Sequence, residues 1–293
     1  MQYRQYVHLI VIGWDEIMRD FHIPLVGIDS QSEAEEVRYL PLPGEMTTFA
    51  MPVVNLVADP EILEAVCTVL ENLRSAMLTK RDAKIDLTRL TPDVVELINQ
   101  SLGQGEVSVI VRNPSNLHIQ ETVFAGIWRI QKMSTQSVVS SDMLHACAIP
   151  AEVQKSALSG TTVVSVPPMQ QGIMNAPAVL NELLERSKKY QEGNAAHIIN
   201  LSLLPMSPED LAYLYDAFGT GTVSILSRGY GNCRITSTRL ANVWWVQYFN
   251  STDQIILNTL EVVDVPEVAL AADEDFLESV VRLGEWLSVM REQ

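Results

Sequence analysis

The side chains best suited to metal, thiol or acid–base chemistry are few in this sequence, and they are scattered. Its three cysteines, Cys67, Cys147 and Cys233, form no Cys-x-x-Cys pair. Its five histidines, His8, His22, His118, His145 and His197, form no HExxH or HxH spacing. A metal site built from one segment needs its ligands grouped at such short spacings, so no metal is expected. No GxSxG elbow, P-loop or EF-hand loop occurs. Gly219-Thr220-Gly221 ends a helical pattern and does not open one after a strand, so it is no dinucleotide fingerprint. No cofactor is expected from these spacings, and the plentiful carboxylates cannot be paired in space from sequence alone. Cys233 lies close to Arg228 and Arg234, and a nearby cation lowers a thiol's pKa. The competing reading is that Cys233 is a small apolar residue buried in a strand. The same segment, Arg228-Gly229-Tyr230-Gly231-Asn232-Cys233-Arg234, holds the most distinctive binding chemistry in the chain. Two glycines permit unusual backbone angles around a tyrosine, and the flanking arginines and Asn232 make a polar, aromatic tip; the competing reading is a plain hairpin turn between strands.

That tip is basic on an acidic protein. Among 293 residues, 36 are acidic and 20 basic, giving a net charge of −16 and a pI near 4.7. A field of that sign repels phosphate backbones and anionic bilayers, so neither nucleic acid nor membrane is an expected partner. A basic peptide or protein face is compatible with it. A hydrophobic fraction of 47% supplies ample material for a core. An odd, sparse cysteine count suits a reducing compartment. The apolar run Tyr6–Trp14 is far shorter than the ~20 residues of a spanning helix. Asp15 and Glu16 follow it at once, where an export signal would carry small residues. We therefore expect Val7–Ile12 to be a buried strand and the protein to be cytoplasmic.

The elements that must position these residues come in duplicate. Thr91–Val153 aligns without a gap on Ser207–Ala269, an offset of 116 residues. Identities include Gly103/Gly219, Gly105/Gly221, Arg112/Arg228, Asn116/Asn232, Trp128/Trp244, Gln131/Gln247 and Pro150/Pro266. Upstream, Ile85-Asp86-Leu87-Thr88 resembles Ile199-Asn200-Leu201-Ser202. A period this long indicates a duplicated unit, not a solenoid of short repeats. Proline at the first turn predicts helices from Pro60 to about Ala76 and from Pro177 to about Tyr190. Further helices open at Thr91-Pro92 and Ser207-Pro208 and stop at Gly103 and Gly219. Alternating β-branched stretches predict strands at Val107–Val111, Leu117–Gln120, Ala125–Met133 and Val138–Ile149, with counterparts at Val223–Ser227, Cys233–Thr236, Ala241–Phe249 and Gln254–Val263. Ser156–Asn175, with Gly160, Pro167, Pro168 and Gly172, reads as the link. Asp273–Gln293 reads as an amphipathic helix burying Phe276, Val280, Val281, Leu283, Leu287 and Met290. The expected fold is α+β: two tandem helix-plus-antiparallel-sheet units related by pseudo-symmetry, with a C-terminal helix. The expected division is an N-terminal extension (1–50), a first unit (51–160) and a second (161–293) that includes the terminal helix.

Duplication supplies an internal comparison. Trp128 and Trp244 match and are assigned to the core. On the opposite strand face, Trp245 and Gln247 match Arg129 and Gln131. A position that accepts arginine in one copy reads as accessible, which makes Trp245 a candidate exposed anchor. The alternative is that Trp245 is covered by the terminal helix or by the other copy.

Three stretches resemble the HupH/HyaF/HoxQ family of hydrogenase expression/formation proteins: Ile199–Pro205, Leu226–Arg234 and Asn242–Asn250. Ile255–Pro266 fits the same pattern, and Pro43–Phe49 fits it less specifically, whereas residues 1–40 resemble nothing identifiable. The resemblance implies an accessory chaperone in the maturation of nickel–iron hydrogenase, without catalytic residues. Its implied partner is the iron–sulfur small subunit, which carries a twin-arginine leader, together with other maturation proteins. The partner-binding surface we expect is Arg228, Gly229, Tyr230, Gly231, Asn232, Cys233 and Arg234 with Trp245, Gln247 and Tyr248. Two further readings stay open: a redox or metal-cluster carrier using Cys233, Cys147 or Cys67, and a structural adaptor between maturation proteins.

Overall fold

Proline and polar caps start the helices, and glycines with positive φ stop two of them. Asp59 accepts from the Glu61 N–H at 2.9 Å and opens α1 (Pro60–Leu78). The chain continues through β1 (Ala83–Asp86), α2 (Pro92–Leu102), β2 (Val107–Val111), β3 (Leu117–Glu121), β4 (Ile127–Met133), β5 (Val139–Ala146) and α3 (Ala151–Ser159). It then forms α4 (Ala176–Lys189), β6 (His197–Asn200), α5 (Pro208–Phe218), β7 (Val223–Ser227), β8 (Asn232–Ser237), β9 (Val243–Phe249), β10 (Ile255–Val262) and α6 (Asp273–Arg291). Short 3-10 turns follow β1, β6 and β10. Gly103 and Gly219 end α2 and α5 with φ of 56° and 57°, where a side chain would be strained. This computed structural model describes residues 59–292 except 82, 113–114, 135, 137, 160–163 and 230. The strand expected at Val7–Ile12 and the extension assigned to 1–50 lie outside the described residues.

Among the described residues ten strands form one antiparallel sheet, in the order β1-β5-β4-β3-β2-β7-β8-β9-β10-β6. The fold is therefore α+β, as expected, and no break in the sheet separates residues 51–160 from 161–293. β2 and β7 pair at the centre with Val109 opposite Ile225, two residues 116 apart. Registers on one side recur on the other at that offset. Trp128 faces His145 as Trp244 faces Glu261, and a bulge on β5 corresponds to one on β10.

Alternation splits the strands between two faces. One face presents Val109, Ile119, Trp128, Ile225, Ile235 and Trp244 to a core closed by Val153 and Ala157 of α3 and by Ala269 of the last 3-10 turn. The two tryptophans are buried as expected. Trp128 Nε1 donates to the Cys147 carbonyl at 2.9 Å, and Trp244 Nε1 to that of Val263 at 3.1 Å. The other face carries α1 and α2 over one half and α4 and α5 over the other.

Three expectations need correction. Residues 156–159 belong to α3 and not to a link, because Val153, Ser156 and Ala157 fall on one helical face and seal the shared core. The terminal helix packs on the first half, not on the second. Val280, Leu283, Leu287 and Met290 join the cluster of Val66, Leu70, Leu73 and Met77 on α1. Each fully buried side chain of this kind contributes roughly 1.5–3 kcal/mol, so α6 is integral to that half. Gly284 lets it approach, since a Cβ there would meet the Arg74 guanidinium, whose Nε donates to the Val280 carbonyl at 3.2 Å. Val281, expected inside, lies off that stripe and is exposed.

Candidate functional site

The loop between β7 and β8 sits where the two halves meet. The Arg228 N–H donates to the Glu106 carbonyl at 3.2 Å, just as the Arg112 N–H donates to that of Thr222 at 2.9 Å. Each half thus braces the turn of the other. Arg228, Gly229 and Gly231 are exposed, and Asn232 is half-buried. Gly231 has φ of 99°, the conformation for which glycine is suited. Tyr230 lies outside the described residues. Arg234 is half-buried, with its guanidinium carbon 4.3 Å from the centre of the Phe249 ring, a cation–π contact. The exposed part of the expected surface is therefore the turn alone.

Its other members point elsewhere. Trp245 is only 4% exposed. It lies under α5, edge-on to Tyr215 at 5.9 Å, and its Nε1 donates to Asn258 Oδ1 at 2.6 Å. The expectation of an exposed anchor is thus overturned. The first half shows why the inference from arginine fails. Arg129 faces the helices too, and it is held there by a bidentate pair with Asp142 at 2.9 and 2.6 Å. Asp142 and Asn258 are themselves 116 apart, so one half satisfies this spot with an ion pair and the other with an indole hydrogen bond. Gln247 is buried beside Trp245 on the same strand face.

Cys233 points into the apolar face, opposite Tyr248. Burial pushes its thiol up to about 12, and Glu261 adds to this against a hydrogen bond from Tyr248. Burial, then Cys233 and Glu261, pushes the half-buried Tyr248 hydroxyl up as well. A thiol in that state is neutral at physiological pH and a poor nucleophile or ligand. This removes the basis for a carrier that uses Cys233, since Arg234 points to the opposite face. Among the described residues no three His, Cys, Asp or Glu side chains are placed to hold a metal ion. Native protein treated with iodoacetamide at pH 8 is expected to alkylate at the half-buried Cys147 first, with Cys233 at least about tenfold slower than after unfolding. Equal rates before and after unfolding, read by peptide mass spectrometry, would contradict this placement.

Two features escaped the sequence reading. A cavity of about 150 Å³ on the helix-bearing face of the first half is lined by Asn99, Gln104, His118, Gln120, Arg129 and Gln131 among others. Gln120 Nε2 spans its wall, donating to the carbonyls of Gly105, Val107 and Glu121 at 3.1, 3.2 and 3.0 Å. Polar residues at 118, 120, 129 and 131, on alternate positions of neighbouring strands, are the signal that could have shown it. The second feature is a run of exposed apolar residues at the β6 end of the sheet, Ile198, Leu203 and Ile256.

The duplicated registers, the continuous sheet and the braced central turns define a class, and comparison with known proteins identifies it. Residues 56–158 and 173–290 match the HupH hydrogenase expression protein, C-terminal conserved region, and the chain belongs to this family. It is 40% identical to the hydrogenase expression/formation protein HoxQ of Cupriavidus necator, over 92% of this chain and 98% of that protein. It is 39% identical to HupH of Rhodobacter capsulatus over 94% of this chain and 100% of that one. The hydrogenase-1 operon protein HyaF of Escherichia coli is 33% identical over 70% of this chain and 73% of its own length. A solved structure, the hydrogenase expression protein HupH from Thiobacillus denitrificans, matches 39% of this chain and 95% of its own at 29% identity, with a TM-score of 0.37.

Proposed function

We propose that this protein is a non-enzymatic accessory chaperone in the maturation of nickel–iron hydrogenase, acting in the cytoplasm. It holds the iron–sulfur small subunit before that subunit is assembled and exported. The observation that carries this reading is the family match, which spans both halves of the chain, together with near full-length relatives named for hydrogenase expression and formation. The same two-segment match, with the registers that recur at 116 residues, supports a duplicated unit at 51–160 and 161–293. Among the described residues, the turn at Arg228, Gly229 and Gly231 is the most accessible part of the expected partner surface. Trp245, Gln247 and Cys233 are buried and form no part of that accessible surface.

A net charge of −16 supports a basic partner segment, because complementary charge speeds encounter and like charge suppresses it. The twin-arginine leader of the small subunit is such a segment. The test is capture of the small subunit by the tagged protein from cells making hydrogenase, with the leader present and deleted. Capture is expected in both cases, weaker without the leader, and weaker at about 500 mM than at about 50 mM salt. No small subunit in any eluate would end the chaperone reading. Equal recovery at the two salt concentrations would end the electrostatic part alone.

A further inference from the structure

The two ends of the sheet carry the same register but opposite surfaces. β1 forms one end and β6 the other. Lys84 faces His145 as Ile198 faces Glu261, and the partner residues are again 116 apart. At the β1 end the outward residues of the edge strand and its turn are charged and tied down, and the exposed apolar residues there are Val138 and Val139, where β5 begins. Lys84 Nζ meets Glu152 Oε1 at 2.8 Å, and Arg89 Nε meets Asp86 Oδ2 at 3.2 Å. Charges of this kind are how natural proteins stop an edge strand from pairing with another chain. At the β6 end the corresponding residues are Ile198 for Lys84, Asn200 for Asp86 and Leu203 for Arg89, and the bulge residue Ile256 stands for Ser140. Ile198, Leu203 and Ile256 are 54%, 80% and 62% exposed. The Asn258 N–H donates to Ser202 Oγ at 2.9 Å, which holds the turn bearing Leu203 against β10, the strand bearing Ile256. Among the described residues, the backbone of β6 pairs with β10 and with no other strand.

We propose that the β6 edge is the docking site for an extended, apolar segment of a partner protein flanked by basic residues, which adds to the sheet as a further strand. Main-chain hydrogen bonds to β6 would supply affinity, and Ile198, Leu203 and Ile256 would meet alternate side chains. Charge selects this occupant over a second copy of the chain. Glu182, bonded to His197 at 2.8 Å, lies at the edge, Glu192 and Asp264 lie by its approach, and Asp253 lies in the turn before β10. Lys188 and Lys189 of α4 are engaged with Glu185 of the same helix. A second copy would bring the same acids to this edge, whereas a cationic segment would neutralise them. The inference rests on the chaperone reading only for taking the occupant from a client protein.

The test uses the full chain and two triple variants. Ile198→Lys with Leu203→Arg and Ile256→Ser installs the side chains of the protected end. Ile198→Thr with Leu203→Ser and Ile256→Ser removes the apolar surface without adding charge. All three sites are exposed, so both variants are expected to keep the wild-type circular dichroism and thermal midpoint. The probe is a short synthetic peptide of alternating Val and Thr with paired Arg at its ends, and the control carries Pro at alternate positions, which cannot pair. The wild type is expected to bind the probe and not the control, with slowed hydrogen exchange across 197–200, and both variants are expected to lose at least about tenfold in affinity. Unchanged affinity in the variants would overturn the proposal, as would a wild-type dimer in sedimentation that the variants dissolve, which would make the occupant a second copy. Small-subunit capture separates the two readings. Capture undiminished in the variants overturns the edge as the client site and leaves the chaperone reading intact. Absence of capture by wild type, with probe binding still dependent on the edge, removes the chaperone reading and leaves the edge.

Discussion

Replacing Asp210 by Ala is expected to destabilise the protein by about 3–4 kcal/mol, measured as a lower urea midpoint at unchanged slope. The reason is the number of donors that converge on one buried carboxylate. Oδ1 accepts from the N–H groups of Met174, Asn175 and Ala176 at 2.9, 3.0 and 2.9 Å. Oδ2 accepts from the Ser207 N–H at 3.1 Å, while Ser207 Oγ accepts from the Asp210 N–H at 3.0 Å and donates to the Gly172 carbonyl at 2.9 Å. This capping box at the start of α5 also caps α4, so one side chain holds the segment between the halves against both helices. The aligned residue of the first half is Val94, and nothing there corresponds to it. Asp210→Asn keeps an acceptor oxygen and is expected to lose about half as much. Burial alone would push the carboxyl up, but the backbone donors together outweigh it and hold it below its usual value of 3.8. A depressed pKa stabilises the fold above the unfolded value and ceases to do so as pH falls through the folded one. The gap between wild type and Asp210→Asn should therefore be full at neutral pH and narrow below about 3.8. A loss under about 1 kcal/mol for Asp210→Ala would show that water replaces these donors' partner at little cost.

Local chemistry wrote much of this fold plainly. Val107–Val111 and Val223–Ser227 are strands to the residue, because β-branched runs between turn residues have few alternatives. The prolines at 60, 92 and 208 open helices where a missing N–H does no harm. The failures share a cause, which is that sequence pattern describes a face but not what covers it. α3 escaped notice because its aligned partner is a 3-10 turn, Glu267–Ala269, and because Gly160 and the prolines after it read as a link. The stripe on α6 is correct apart from Val281, yet nothing in the stripe says that α1, some two hundred residues earlier, completes it. Trp245 was misplaced by assuming that a side chain which can be arginine must reach water. Arg129, with 27% of its side chain exposed, shows the alternative, a charge turned toward the helices and held there by the nearly buried Asp142. The unlike edges were within reach of a comparison between the two aligned segments, through Lys84 against Ile198 and Arg89 against Leu203. Their meaning required the strand order, which places both at the ends of the sheet.

Glu121→Gln is expected to stabilise the protein at pH 8 by up to about 3 kcal/mol, an effect that disappears near pH 4.5. Glu121 ends β3 with its carboxyl buried, accepting from the Gly126 N–H at 3.3 Å. Burial pushes its pKa up from 4.5 to about 7, opposed by that N–H and reinforced by Glu106 and by Asp275 in the first turn of α6. The aligned residue of the other half is Ser237, which meets the same need with a neutral hydroxyl accepting from the Val223 N–H at 3.1 Å. A carboxyl whose folded pKa is raised favours the fold while it is protonated. That contribution is whole below the unfolded value near 4.5, declines as pH rises, and is gone above the folded value near 7. Glutamine does not titrate, so the variant should hold its stability through this window while the wild type loses it. Urea unfolding of both proteins between pH 4.5 and 8 measures the difference directly. Parallel curves would mean that Glu121 reaches water or a cation when ionised. Asp275→Asn supplies the cross-check: removing one of the facing carboxylates should lower the Glu121 pKa and move the onset of the loss to lower pH, which a purely structural role for Glu121 would not do.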